Sequence, residues 1–294
     1  MLGEVSEKWI RNQARRSFLV LAKALPGASG SLALERMQTK IAAAATGGNC
    51  RRWESKMEIP DYMTPWRKSA AIAYSLAMVR GASLHFKYRS RTMISSRAYA
   101  ENLSLLAIAL KNESLKDADI VECGTWRGGM SAGMVEVGGF NRDYYFFDSF
   151  EGLPPVKEID GKAAKAYEDS LSTPGCVASE EDFRQTMSMT GCPQEKIHTC
   201  KGFFENSFSG FSPPKIAALR LDCDWYGSVL ICLKKFWDHI LPGGLILIDD
   251  YHGWEGCSKA VHEFLASRVA PESIRTGPIG RVTYINKKPS PEVS

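Results

Sequence analysis

From about residue 95 the chain alternates between two hydrophobic patterns. Short runs read as strands: "ADIVECG", "DYYFFDS", "KIAALRLDC" and "GGLILIDDY" have apolar centres, and "KIHTCKG" is a more polar one. Runs with apolar centres predict strands buried on both faces. Between them "SRAYAENLSLLAIALK", "GGMSAGMVEVGG", "SEEDFRQTMSMTG", "WYGSVLICLKKFWDHI" and "EGCSKAVHEFLASR" carry the helical period. Strands alternating with crossover helices specify an α/β fold, a doubly wound and mostly parallel sheet. "ESIRTGP" and "GRVTYINK", on either side of Ile279-Gly280, predict a final antiparallel pair.

Residues 1 to about 90 differ. Helical periodicity there is broken by Pro26-Gly27, Gly47-Gly48 and Pro60, and no strand is predicted. "TPWRKSAAIAYSLAMVRG" reads as a helix with Thr64 as N-cap, Pro65 at the first position and Gly81 past its end. The expected organisation is a helical extension over 1–90, an α/β domain over 91–288 and a frayed tail over 289–294. Residues 151–175 are the longest stretch without clear periodicity. They follow a strand end, where α/β sheets bind ligands, and so predict a substrate lid.

Composition narrows the function classes. The chain has 294 residues, 44% of them hydrophobic and 24% charged, enough for a large buried core. A formal charge of +4 does not point to nucleic acid. Arg11, Arg15, Arg16, Arg51, Arg52, Arg67, Lys68 and Arg80 crowd the first 80 residues and are read as solvated helix faces rather than a membrane or acidic-partner surface. No run reaches the roughly 18 apolar residues of a membrane span. "SFLVLAKALPGASG" follows a long charged start and contains Lys23, unlike a secretory leader. Several of the eight cysteines sit inside apolar runs and no C-x-x-C pair occurs, so a disulfide framework and a zinc site are not expected and a cytoplasmic setting is.

The chemistry collects at strand ends. "VECGTWRGG" places Glu122 at the end of a buried strand and Gly124 at a turn, but lacks the G-x-G-x-x-G spacing of a dinucleotide site. A small zwitterion held by a carboxylate fits that turn better. Asp148 in "FFDSFEGLP" falls where a doubly wound domain holds a ribose diol. Gly202 opens a turn followed by Phe203 and Phe204. Asp222, Asp249 and Asp250 end two strands expected to be neighbours. Carboxylates so crowded repel one another, and a hard divalent cation relieves that repulsion. A metal-free alternative has Asp224 and Asp250 capping the helices that follow.

These motifs, with "RTMISSRAYAENL", "LRLDCDWYGSV" and "LPGGLILIDDYHGWEGCSKAVHEF", resemble the macrocin O-methyltransferase family over roughly residues 90–287. The resemblance implies a Rossmann-like class I methyltransferase with an N-terminal helical extension that contributes substrate and dimer contacts. It implies S-adenosylmethionine and Mg²⁺ as cofactors, and as acceptor a hydroxyl on a small molecule, a sugar or other natural-product intermediate. By position, Thr92, Met93, Glu122, Gly124, Thr125, Trp126, Asp148, Ser149 and Gly202 would form the cofactor site. Asp222, Asp249 and Asp250 would hold the metal, with Asp222 also the general base and Asp224 and His252 its competitors. Cys223 and Trp225-Tyr226 depart from the family pattern and would reshape the acceptor side. Trp66, Trp126 and Trp254 suit stacking on a ring. Two rivals are a glycosyltransferase using Asp222-Cys223-Asp224 as a D-x-D motif, and a non-catalytic binding protein of the same fold.

Overall fold

The computed structural model describes residues 64–173, 175–268 and 272–289. The helical breaks before residue 64, the basic residues through Arg52 and the tail after Pro289 lie outside them. The chain divides into two units, Met1–Leu76 and Ala77–Ser294, and the sheet and cleft belong to the second. For Trp66, Arg67 and Lys68 the backbone alone is described, as helix.

Helix α1 spans Thr64–Tyr88, past the stop expected at Gly81. A Cβ at Gly81 would lie 2.6 Å from the Ala100 Cα on α2 (Ser96–Ala109). The glycine therefore serves close backbone approach between two helices rather than a helix end.

A seven-stranded sheet follows, in the order β3-β2-β1-β4-β5-β7-β6. Its strands are β1 (Asp119–Cys123), β2 (Tyr144–Asp148), β3 (Ile197–Lys201), β4 (Ile216–Leu221), β5 (Ile240–Ile248), β6 (Arg275–Thr276) and β7 (Thr283–Asn286). β1 to β5 run parallel, β7 runs antiparallel to β5, and β6 antiparallel to β7. This is the doubly wound, mostly parallel sheet read from the sequence, including its terminal antiparallel pair.

Helices cover both faces: α3 (Gly129–Gly138), α4 (Lys162–Asp169), α5 (Glu180–Ser188), α6 (Phe204–Ser207), α7 (Tyr226–Phe236) and α8 (Glu255–Ala266) join α2. Strand alternation sorts the core. Ile246 and Ile248 pack with Val229, Leu233 and Phe236 of α7 and Val261 and Phe264 of α8. Leu245 and Leu247 pack with Leu103 and Leu106 of α2 and Met134 of α3. Each such side chain fully withdrawn from water contributes about 1.5–3 kcal/mol. The sheet order reverses between β1 and β4, which opens a crevice at their carboxyl ends. No helix among the described residues is long and apolar enough to cross a membrane.

The stretch 151–175 is not free of regular structure: a 3-10 turn over Glu158–Asp160 leads into α4. Its Ala, Lys and Glu residues favour helix. Only Ala164 of α4 is buried, and its apolar stripe is short and made mostly of alanine, which marks it weakly. The stretch is also fastened down. Trp225 Nε1 donates to the Pro154 carbonyl at 2.9 Å, and Ala163 N–H to Glu255 at 3.2 Å. Asp160, 2% exposed, accepts from its own segment at Lys157 N–H (2.7 Å) and from the first turn of α7 at Tyr226 N–H (2.8 Å). It thus caps a helix whose own N-cap residue, Trp225, makes no side-chain cap bond. Asp160→Ala is expected to lower stability by about 1–2 kcal/mol in urea unfolding. Amide exchange should quicken in 151–175 and the first turn of α7 and hold steady in β4 and β5. Unchanged exchange in 151–175 would show that Asp160 does not fasten it.

Candidate active site

At the carboxyl ends of the strands lies a cleft, open to solvent, with a cavity volume of about 90 Å³. Met93, Gly124, Trp126, Asp148, Ser149, Gly202 and Asp222, all expected from the sequence, line it. Phe203, Phe204, Cys223 and Asp224 line it too, as do Gly152, Leu153, Pro154 and Cys176 from the fastened segment and its end. Main-chain bonds stitch the strand ends together: Gly124 N–H to the Phe147 carbonyl (2.8 Å), Asp222 N–H to Cys123 (2.9 Å), Asp249 N–H to Leu221 (2.9 Å) and Gly202 N–H to Asp148 (2.9 Å). Left-handed backbone at Trp126 (φ 47°), Cys176 (φ 60°) and Asp224 (φ 56°) concentrates strain in the cleft wall. Such strain persists where surrounding structure enforces it, commonly at functional sites.

Asp148 organises the first turn. Its Oδ2 accepts from the N–H groups of Thr125 (2.7 Å) and Trp126 (2.8 Å), and its Oδ1 from Phe150 N–H (2.7 Å). Its expected task toward a ribose is therefore joined by a structural one. Ser149 Oγ donates to the Gly152 carbonyl at 2.9 Å, and Trp126 Nε1 to the Val177 carbonyl at 3.1 Å. Thr125 is buried at the turn and Thr92 is half-buried, its Oγ1 accepting from Ile94 N–H at 3.3 Å; neither lines the cleft.

Glu122 does not reach the cleft wall. It is fully buried, pairs in register with Arg220 of β4, and accepts from Arg220 Nη1 (2.8 Å) and from Ser131 Oγ of α3. Strand alternation explains this: Val121 and Cys123 belong to the core layer on one face, Ile120 to the other, and Glu122 follows Ile120. Burial pushes its carboxyl up to about 7, against the pull of Arg220 and Ser131.

Arg220 was not singled out by sequence reasoning. The signal was present as a lone cation inside a wholly apolar run, which demands a buried partner. It has three: Glu122, Asp222 and Asp249, each at 2.8 Å.

Asp222, Asp249 and Asp250 each place one carboxylate oxygen within 4.8 Å of the others. Asp250 Oδ2 accepts from Asp224 N–H at 3.1 Å, and Asp224 Oδ1 accepts from Trp254 Nε1 at 2.7 Å. The capping alternative for Asp224 fails, since Tyr226 N–H goes to Asp160 instead. Loss of water and mutual repulsion raise the proton affinity of Asp222, Asp224 and Asp250. The Arg220 guanidinium pulls Asp222 the other way without cancelling the effect. A surplus of negative charge on an all-oxygen donor set is what a hard divalent cation fits. His252 is exposed, with its ring edge-on to Tyr251 at 5.1 Å, and is not part of this cluster.

Residues 70–279 match the macrocin O-methyltransferase (TylF) family. The chain is 32% identical over 151 residues to the 8-demethyl-8-(2,3-dimethoxy-alpha-L-rhamnosyl)-tetracenomycin-C 4'-O-methyltransferase of Streptomyces olivaceus, covering 50% of this chain and 57% of that protein. It is 27% identical over 155 residues to the mycinamicin III 3''-O-methyltransferase of Micromonospora griseorubida, covering 50% and 59%. The matched segment thus spans less than two thirds of these curated relatives. Among solved structures, the O-methyltransferase NovP superposes with a TM-score of 0.59 at 21% identity, over 75% of this chain and 100% of that one. That likeness shows the fold, the class I methyltransferase sheet with its helical layers.

Proposed function

Because this chain belongs to the macrocin O-methyltransferase family, we propose that it transfers a methyl group from S-adenosylmethionine to a small-molecule hydroxyl, on a sugar or other natural-product intermediate, with Mg²⁺ at Asp222, Asp249 and Asp250. The observation that carries this reading is the meeting of cleft and carboxylate cluster at Asp222, which belongs to both. The two curated relatives named above are O-methyltransferases by name, and the glycosyltransferase and scaffold alternatives find no support in the family match.

S-adenosylmethionine supplies a methyl group already activated on a sulfonium, so the protein's task is mainly to orient the acceptor oxygen. A divalent cation supplies Lewis-acid acidification of an aliphatic hydroxyl that is otherwise a poor nucleophile near neutral pH. The turn 124–126, ordered by Asp148, forms one wall for the cofactor, with Ser149 and Gly202 beside it. Glu122 lies outside that wall, its carboxylate bonded to Arg220 and Ser131. The proton acceptor is one of the two aspartates on the metal side of the cleft wall, Asp222 or Asp224. Asp222 has one oxygen tied to Arg220. Asp224 is oriented by Trp254 Nε1 and has no ion pair with Arg220. The geometry favours Asp224 over Asp222 as base. Trp254 also packs against Trp225 (5.2 Å) and Tyr167 (5.5 Å), an aromatic cluster on the acceptor side. Contributions of residues 1–90 to acceptor binding and dimer formation, and a cytoplasmic setting, belong to the same proposal.

The test is calorimetric titration of S-adenosylmethionine into metal-free protein, repeated with excess Mg²⁺, followed by transfer of labelled methyl to a panel of sugar hydroxyls. Saturable cofactor binding under both conditions is expected, with transfer only when Mg²⁺ is present. Absence of cofactor binding to folded protein would overturn the reading.

A further inference from the structure

Arg220 has no part in the chemistry set out above, yet it is a fully buried cation. It sits in β4, all six residues of which are buried, and its own side chain is fully buried. Removing a guanidinium from water costs several kcal/mol unless its partners are well aligned. Its partners come from three adjacent strands. Nη1 lies 2.8 Å from Glu122 Oε1 on β1 and 2.8 Å from Asp222 Oδ2 just beyond β4. Nη2 lies 2.8 Å from Asp249 Oδ1 just beyond β5. The inner partner has no exposure, whereas the side chains of the outer two are 30% and 21% exposed and face outward into the carboxylate cluster.

That division of the fork has a consequence. Asp222 accepts a hydrogen bond from Nη1, which fixes the rotation of its carboxylate, whereas Asp249 is held by ion-pair contact with Nη2 without an aligned hydrogen bond; each aspartate keeps a second oxygen for a ligand. Glu122, held in turn by Ser131, anchors the guanidinium from within. Without such an anchor, Asp222 and Asp249 repel each other and turn apart. Lysine cannot replace this geometry, because an ammonium is a point charge whereas the planar fork bridges separate carboxylates at fixed angles.

We propose that Arg220 is a positioning residue for divalent-cation binding: anchored by Glu122, it holds Asp222 and Asp249 close enough together, within 4.8 Å, to share one ion with Asp250. The inference rests on the reading of Asp222, Asp249 and Asp250 as a metal site. Groups that orient metal ligands from behind typically contribute ~10- to 100-fold in affinity.

The experiment is calorimetric titration of Mg²⁺ into wild-type protein, Arg220→Lys, and the double variant Glu122→Gln with Arg220→Met. The double variant removes the internal pair as a neutral unit and keeps a folded comparison if the lysine variant fails to fold. S-adenosylmethionine affinity without metal and the unfolding midpoint are measured alongside. The expected result is Mg²⁺ binding weakened ~10- to 100-fold in each folded variant, with metal-free cofactor affinity within about twofold of wild type. A purely structural role would lower cofactor affinity and metal affinity together, and that outcome overturns the proposal. So does wild-type Mg²⁺ affinity in either folded variant. If wild-type protein itself binds no Mg²⁺, the metal reading fails, a result distinct from a wild-type site indifferent to Arg220.

Discussion

Replacing Asp249 and Asp250 together by asparagine abolishes Mg²⁺-dependent methyl transfer, by about 10³-fold or more, while the protein stays folded and still binds S-adenosylmethionine. Two of the three clustered carboxylates are removed, and a single remaining carboxylate is a poor ligand set for a cation that dehydrates reluctantly. Folding should tolerate the change because the substitutions also remove repulsion. Burial and the nearby charges of Asp224, Asp222 and Asp249 raise the proton affinity of Asp250 well above the ordinary carboxylate range. An asparagine there has no charge to desolvate, and its Oδ1 still accepts from Asp224 N–H. At position 249 the ion pair to Arg220 is lost, but Arg220 keeps Glu122 and Asp222. The checks are turnover against Mg²⁺ concentration and thermal unfolding with and without the ion. A ligand at 100 times its Kd stabilises the native state by about 2.7 kcal/mol, and this increment should be present in wild type and absent in the double variant. Persistence of Mg²⁺-dependent turnover in the double variant would place the metal elsewhere.

The sheet was legible because β1, β2, β4 and the second half of β5 are apolar at nearly every position, as strands covered on both faces are, while the half-exposed β3 followed from the alternation of elements. Two local features escaped for definable reasons. Gly81 carries the usual mark of a helix end, but only tertiary contact with Ala100 shows that it belongs inside α1. α4 in 151–175 is eight residues long with a stripe made mostly of alanine, too short and too weakly apolar to stand out from its Pro- and Gly-bearing surroundings. In the site, the clustering of Asp222, Asp249 and Asp250 could be inferred from position alone, because neighbouring parallel strands end side by side. The role of Glu122 could not. An acidic residue at a strand end reads as solvent-facing until the strand register sets it opposite Arg220. The charge pattern "LRLD" contains that information, but it becomes specific only when β1 and β4 are known to be neighbours.

Gly124→Ala should be among the most damaging single substitutions in the α/β unit, at about 3–5 kcal/mol. Two penalties act together. Gly124 sits at φ +84°, where a side chain is strained by about 1–2 kcal/mol. A Cβ there would also lie 2.7 Å from the Asp222 carbonyl carbon and closer still to its oxygen. That carbonyl cannot easily move away, since the Asp222 N–H is bonded to Cys123 and the Asp222 carboxylate to Arg220. Either the first turn withdraws or Asp222 is displaced, so the substitution strikes both sides of the cleft. Gly191→Ala provides the comparison. Gly191 has a similar φ of +75° but nothing within 4 Å of its would-be Cβ, so it reports the backbone penalty alone. Urea unfolding of the two variants separates clash from strain, and calorimetry on folded Gly124→Ala should find cofactor and Mg²⁺ affinity reduced together. Equal destabilisation of the two variants would mean that the turn and Asp222 are not in close register. A larger loss at Gly124 with both affinities affected would show that the glycine is demanded first by the backbone of the metal-side strand, and that the cofactor turn and the carboxylate cluster are built as one unit.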